Sequence, residues 1–350
     1  MTTVAVALSG GVDSAVAALL LADQGCEVIC VTMRLWHESP QAGQETAGAR
    51  RVAQALDIPL HVVDVVEPFK QSVVDRFVAE YSAGRTPNPC LYCNHHVKFG
   101  PLLEQSLALG AHSMATGHYA RTRLTPDGHN WQLLRGVDRT KDQSYFLYTL
   151  DQATLAQVRF PLGEWTKDRV RALAREQSLP AAGTKESQDL CFVADNDYRR
   201  FLEEHAPHVF EPGPILDGKG REMGRHSGLA RYTVGQRSGI GIAAPEALYV
   251  LRLDVEHNAL FVGPRRELGR DWLVATEVNW VGGKAPSQAI TPVVKIRYRA
   301  RPVQATVTPL APGRARVCFA GPLRDITPGQ GVVFYDGDVV LGGGLISSES

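Results

Sequence analysis

Apolar residues run without polar alternation through Val4-Ala5-Val6-Ala7-Leu8, through Val28 to Met33 after Glu27, and through most of Leu60 to Val66. Such runs predict strands buried on both faces, as in a parallel sheet. Between them lie Ala15 to Ala22, rich in helix formers, and Thr46 to Leu56, with Pro59 just beyond. Val73 to Tyr81 follows with amphipathic spacing. This β-α-β-α-β order predicts a parallel sheet with right-handed crossovers. Ligands bind such sheets at the carboxyl ends of the strands, where Met33 falls. A helix is predicted from about Cys90 to Leu109, stopped by Gly110. Ser113 to Thr116 and Trp131 to Arg135 read as strands, and Thr166 to Gln177 as a helix with a Thr cap.

From about Asp195 this alternation ends. Glu211-Pro212-Gly213-Pro214 reads as a linker, and Asp217-Gly218 and Asn258-Ala259 punctuate short strands. From about Trp272 only short strands and Gly/Pro turns remain, which predicts a small antiparallel β-barrel. The expected layout is an α/β domain over 1–200, a small central domain over 201–271 and the barrel over 272–350. Within the barrel, Lys295-Ile296-Arg297-Tyr298-Arg299-Ala300-Arg301 alternates cations with other residues. A strand would put the four cations on one face, suited to an RNA backbone. A charged, solvated edge strand is the alternative.

A chain of 350 residues, 44% hydrophobic and 21% charged, describes a globular protein of more than one domain. No apolar stretch has membrane-spanning length and no leader is evident, so a cytoplasmic protein with no membrane partner is expected. The net charge is zero, which leaves any nucleic-acid contact to local basic patches. Six cysteines in a reducing compartment point to redox chemistry or metal wherever they cluster. Cys26 and Cys30, in apolar surroundings, read as packing residues.

The chemistry starts at Leu8-Ser9-Gly10-Gly11-Val12-Asp13-Ser14, between a strand and a helix. Glycines allow a sharp turn and close approach, and the helix start offers N–H groups and a positive dipole end, which together suit phosphate. The loop lacks the lysine of a Walker sequence and the spacing of a dinucleotide fingerprint. Further on, Cys90 and Cys93 lie three apart in the first turn of the predicted helix, where the dipole favours thiolate. Cys191 follows a polar loop and opens a short apolar strand. Lys141-Asp142-Gln143-Ser144-Tyr145 gathers a cation, an anion, an amide and hydroxyls before an apolar run.

Ser9-Gly10-Gly11-Val12-Asp13-Ser14 resembles the PP-loop of ATP pyrophosphatases. With Gly84 to Pro89, Cys93-Asn94, Thr116 to Tyr119, Lys141 to Tyr145, Glu186 to Phe192 and Tyr232 to Arg237, the order resembles the bacterial tRNA-specific 2-thiouridylases over nearly the whole chain. The resemblance implies that ATP, with Mg²⁺, adenylates the C2 oxygen of a wobble uridine in tRNA, and that sulfur carried as a persulfide then displaces AMP. Cys191 matches the persulfide cysteine and Cys93 its partner. Ala7, Leu8, Ser9, Gly10, Gly11, Val12, Asp13, Ser14, Met33 and Gly117 match ATP contacts. Asn88, Pro89, Cys90, His118, Lys141, Asp142, Gln143, Tyr298, Arg299 and Gln330 match positions near tRNA, and Arg297 joins them from the basic stretch. A sulfur-donor protein or persulfide relay is the second implied partner.

One position departs from the pattern: Cys90 stands where the family has an Asp proposed as a general base. Either Cys90 replaces that base as a thiolate, or Cys90, Cys93 and Cys191 hold a metal. A [4Fe–4S] cluster on three cysteines would leave one iron open to bind hydrosulfide. Zinc with His95 or His96 as fourth ligand is the lesser alternative. Two other readings remain: a PP-loop adenylating transferase acting on a small molecule, and a non-catalytic RNA- or metal-binding protein.

Overall fold

The computed structural model describes residues 2–38, 44–183, 190–193 and 195–349. In chain order its N-terminal elements include β1 (Thr3–Ala7), α1 (Val12–Asp23), β2 (Glu27–Arg34), α2 (Gln44–Ala55), β3 (Leu60–Asp64), β4 (Ser113–Ala115), β5 (Ala120–Leu124), β6 (Trp131–Arg135), β7 (Val158–Arg159) and α3 (Lys167–Glu176). The sheet order is β3-β2-β1-β4-β7, and every pairing in it is parallel. Val4, Ala5 and Val6 of the central strand are fully buried. Covering such side chains stabilises by roughly 1.5–3 kcal/mol for each valine, which is why the run carries no polar residue. Leu8 N–H bonds to the Val31 carbonyl at 2.7 Å, so the glycine loop leaves the sheet beside the carboxyl end of β2, where Met33 lies.

Two long helices carry wider, π-type turns. One spans 66–82 with a π segment at Lys70–Asp75. The other spans 89–108 with a π segment at Asn94–Leu102 and a kink at Gly100. Pro101 has no N–H to give to the ladder, which accounts for the interruption.

The central part is a four-stranded sheet in the order β10-β11-β8-β9, from β8 (Gly213–Leu216), β9 (Glu222–His226), β10 (Leu248–Asp254) and β11 (Ala259–Pro264). The C-terminal part is β12 (Arg270–Trp280), β13 (Val293–Lys295), β14 (Val303–Pro309), β15 (Ala315–Leu323), β16 (Gly331–Asp336) and β17 (Val339–Ile346). These strands follow the order β12-β15-β14-β13-β16-β17, and β12 also pairs with β17, which closes a barrel. The hairpin β5–β6 joins the same sheet through Leu134 and Val339, so the N-terminal domain reaches into the barrel wall.

Two expected strands are replaced. The basic strand stops at Lys295, and 297–300 form a turn closed by a bond from Ala300 N–H to the Arg297 carbonyl, 3.1 Å. Lys295 and Ile296 are both buried, which breaks the alternation. The Lys295 ammonium lies 5.5 Å from the Tyr298 ring and 6.0 Å from that of Tyr145, and Tyr298 folds back against Phe146 at 4.5 Å. The four cations therefore do not share a face. Leu190 to Val193 is likewise a turn, closed by Val193 N–H on the Leu190 carbonyl, 3.2 Å. The preceding Glu186 to Asp189 lie outside the described residues.

Candidate active site

Gly10 adopts φ +81°, and a side chain there would meet the backbone of Gly48 in α2 at 2.7 Å. Only glycine fits this crossing. Ser14 is buried, donates to the Gly11 carbonyl at 3.1 Å and lies 3.2 Å from both Ser9 N and Ser9 Oγ. The serines thus brace the loop from within. Gly11 is the N-cap of α1 and no side-chain hydrogen bond caps the helix. Its first-turn N–H groups face the loop, where an anion is favoured by the dipole.

Three groups converge on the start of α1. Tyr119 donates its hydroxyl to Asp13 Oδ1 at 2.8 Å, and Lys167 Nζ lies 2.7 Å from each carboxylate oxygen of Asp13. Gly117 closes the site from the carboxyl side of β4, because a Cβ there would stand 2.8 Å from Ser14 N. Neither Lys167 nor the Tyr119 hydroxyl stands out as a site residue in the sequence. The available signal for Lys167 is a lysine at the first position of a helix, against the dipole, which implies a partner elsewhere in the fold.

The three expected thiols come together. Cys93 is buried, while Cys90 and Cys191 keep access to solvent. Phe192 anchors Cys191 by packing fully buried among Phe69, Phe77 and Phe201, at 6.0, 5.3 and 5.5 Å. Burial raises all three thiols, and it pushes Cys191 to about 12 with help from the neighbouring Cys93 and Cys90. Lys98 opposes this at each sulfur. The surrounding protein thus shifts Cys90 and Cys93 toward the thiol, against the thiolate expected from the helix start. Cys30 is buried and pushed up to about 12, as suits a packing residue.

Among the described residues, no three His, Cys, Asp or Glu side chains are placed to hold a metal ion. His95 and His96 line a separate crevice of about 270 Å³ with Asp151 and Glu277, against the barrel.

The residues expected near RNA fall into two groups. Asn88 caps the helix that carries Cys90, accepting Cys90 N–H at 3.2 Å, with Pro89 at the first position. Gln330 in the barrel donates to the Thr86 carbonyl at 2.8 Å and holds this approach in place. His118 is buried between Phe99 and Phe160, with Nδ1 2.7 Å from Thr116 Oγ1. Burial keeps its imidazole neutral. Asp142 is turned inward: it pairs with Arg135 at 2.9 Å and accepts Gly136 and Ser144 N–H groups at 3.1 Å. It shapes the loop that presents Lys141 and Gln143. Tyr298 and Arg299 sit on the turn after β13, with Tyr298 packed against Tyr145 and Phe146.

A parallel sheet with this glycine loop, joined to neighbouring cysteines and a barrel, defines the nucleotide-binding α/β class with appended β domains. Sequence families match in the same order: "tRNA methyl transferase HUP domain" over residues 2–195, "tRNA methyl transferase PRC-barrel domain" over 199–264 and "Aminomethyltransferase beta-barrel domain" over 270–346. The tRNA-specific 2-thiouridylase MnmA of Magnetococcus marinus is 51% identical over 352 residues, covering 98% of both chains. That of Geotalea uraniireducens is 50% identical over 355 residues, covering 98% of this chain and 94% of its own. The chain belongs to the tRNA-specific 2-thiouridylase family. A solved structure described as a predicted subunit of tRNA methyltransferase from Methanocaldococcus jannaschii has a TM-score of 0.37 at 20% identity, covering 59% of this chain and 88% of that one.

Proposed function

We propose that this protein is an ATP-dependent tRNA uridine 2-sulfurtransferase, with catalytic, central and barrel units over 1–200, 201–271 and 272–350. The observation that carries the reading is that Cys93 and Cys90 both neighbour Cys191, in a domain that also holds the Ser9–Ser14 loop. ATP binds at Ala7 to Ser14, Met33 and Gly117, with Mg²⁺ offsetting the phosphate charge. A urea-like carbonyl is a poor electrophile with a poor leaving group. Bonding its oxygen to the α-phosphorus breaks the bond to the β-phosphate, and pyrophosphate departs with the electron pair. The base N3 proton is lost, so the carbon now bears AMP as leaving group.

Cys191 carries the persulfide. Cys93 thiolate attacks its inner sulfur, a Cys93–Cys191 disulfide forms, and hydrosulfide is released beside the activated carbon. Hydrosulfide adds to C2, AMP leaves with the C–O electron pair, and the sulfhydryl proton passes to N3, which restores the N3–H lost on adenylation. A thiol reductant then opens the disulfide, and a sulfur-donor protein reloads Cys191. Water must be kept away until sulfur arrives, which the buried setting of Cys93 and His118 serves.

tRNA is the substrate, met by Asn88 to Cys90, Lys141, Gln143, Arg297 to Arg299 and Gln330, with the buried His118 and Asp142 supporting that surface from behind. A cytoplasmic location follows from the sulfur chemistry. Among the described residues no helix is long and apolar enough to cross a membrane. The small-molecule alternative is set aside, since likeness to the 2-thiouridylases runs through all three parts at about half identity. The test is pyrophosphate release from ATP with and without bulk tRNA, with 2-thiouridine measured in digested RNA. tRNA-dependent release with 2-thiouridine formed is expected, and release without thiolation would overturn the reading.

A further inference from the structure

Lys167 occupies the first turn of α3, where the helix dipole disfavours a cation. It is also buried, and lysine is almost never buried unless paired. Asp13 is one partner, held at 2.7 Å through both oxygens. Its backbone is fixed separately: Lys167 N–H donates to Asp138 Oδ2 at 2.9 Å, and Asp138 also holds Thr140 N–H and hydroxyl at 3.0 and 2.6 Å. The Tyr119 ring lies 5.8 Å from the ammonium.

Asp13 stands in the first turn of α1, where the phosphate loop opens. An unneutralised carboxylate there would repel a triphosphate. We propose that Lys167 is the positioning residue that cancels this repulsion and makes the loop accept triphosphate and hold departing pyrophosphate. The inference rests on the phosphate-loop reading above. Lys167 moves no proton. As the α–β bond breaks and the electron pair goes to pyrophosphate, the ammonium leaves the loop N–H groups and dipole as a net positive cradle. A plain structural tie between α3 and α1 is the competing account, and it makes different predictions.

The experiment compares full-length wild type with Lys167→Gln, Lys167→Arg and the double variant Asp13→Asn/Lys167→Gln. Melting temperature is measured with and without ATP, together with kinetics of tRNA-dependent pyrophosphate release and inhibition by added pyrophosphate. Lys167→Gln should raise the KM for ATP and the pyrophosphate inhibition constant by roughly ten-fold or more, the scale of about 1.4 kcal/mol, with tRNA affinity unchanged. Lys167→Arg should recover part of the loss. The double variant, which removes both charges, should bind ATP better than Lys167→Gln. It also keeps the test open if the single variant fails to fold. A lowered melting temperature with unchanged KM and inhibition constant would leave only the structural tie. A double variant that binds ATP no better than Lys167→Gln would also overturn the proposal. If wild type itself shows no ATP-induced stabilisation, the phosphate-loop reading fails and takes this inference with it.

Discussion

Tyr119 and Gln143 are bound to each other twice: Tyr119 N–H donates to Gln143 Oε1 at 3.0 Å, and Gln143 N–H donates to the Tyr119 carbonyl at 2.9 Å. The same tyrosine reaches Asp13 through its hydroxyl. One residue therefore joins the loop expected to meet tRNA to the loop expected to hold phosphate. Tyr119→Phe deletes only the hydroxyl. A hydrogen bond to a charged group contributes about 1.5 kcal/mol at the lower end, so kcat/KM for ATP should fall roughly ten-fold. tRNA affinity should be unchanged. Equal ATP kinetics in wild type and Tyr119→Phe would show that this hydrogen bond carries nothing.

Gly117→Ala tests the opposite wall. Its Cβ would sit 2.8 Å from Ser14 N and 2.9 Å from the Asp13 carbonyl carbon, both backbone atoms at the start of α1. Backbone cannot swing aside as a side chain can, so the loop must shift. A ligand at 100 times its Kd stabilises by about 2.7 kcal/mol. That ATP-dependent rise in melting temperature should vanish in Gly117→Ala, with far-ultraviolet circular dichroism unchanged.

The basic stretch keeps an RNA role to be tested on the turn rather than on a strand. Replacing Arg297 and Arg299 by Ala should weaken tRNA binding across sequences. The log–log salt slope should flatten by roughly one unit for each phosphate that is no longer neutralised. An unchanged slope would assign both arginines to intramolecular pairing.

The parallel sheet was legible because burial on both faces leaves unbroken apolar runs such as Val4 to Leu8. The nearness of Cys191 to Cys93 was legible only through the family resemblance, since nothing local joins them. What misled was a pattern that tertiary packing overrode. Lys295 to Arg301 alternates like a strand, yet the aromatic faces of Tyr145 and Tyr298 draw Lys295 inward and turn the chain. Lys167 and the Tyr119 hydroxyl were not legible because their meaning lies in a partner more than a hundred residues away. The strand β6 reads correctly as local structure, but its place in the barrel wall depends on Val339 and has no local signal.

The thiols also set a pH dependence. Burial raises Cys90, Cys93 and Cys191, so the thiol form dominates near neutrality and thiolate grows as pH rises. Alkylation of Cys93 by iodoacetamide, followed by mass spectrometry, should accelerate roughly ten-fold per pH unit from about pH 7 to 9. Lys98→Gln should slow it further at each pH, because Lys98 is the cation favouring thiolate at all three sulfurs. A plateau below about pH 8 in wild type would contradict the raised values.

Cys90 separates the two sulfur chemistries. In the persulfide route only Cys93 and Cys191 exchange sulfur, so either one replaced by Ser should abolish thiolation while tRNA-dependent pyrophosphate release continues. Cys90 then acts at most as a base. Cys90→Asp restores the residue the family pattern carries there and should retain activity in air. In a cluster route all three thiolates would be ligands, Cys90→Asp would lower iron content, and activity would need anaerobic reconstitution. Cys93 and Cys90 both neighbour Cys191, and a persulfide transfer needs only that nearness. The expected result is iron-free Cys90→Asp protein that thiolates tRNA under air when Cys191 is loaded with persulfide. The measurement is 2-thiouridine yield for wild type, Cys90→Asp and Cys90→Ala under air and under argon, with iron and sulfide counted in each sample. Activity on inorganic sulfide alone that tracks iron content would overturn the persulfide route and return Cys90 to the ligand set.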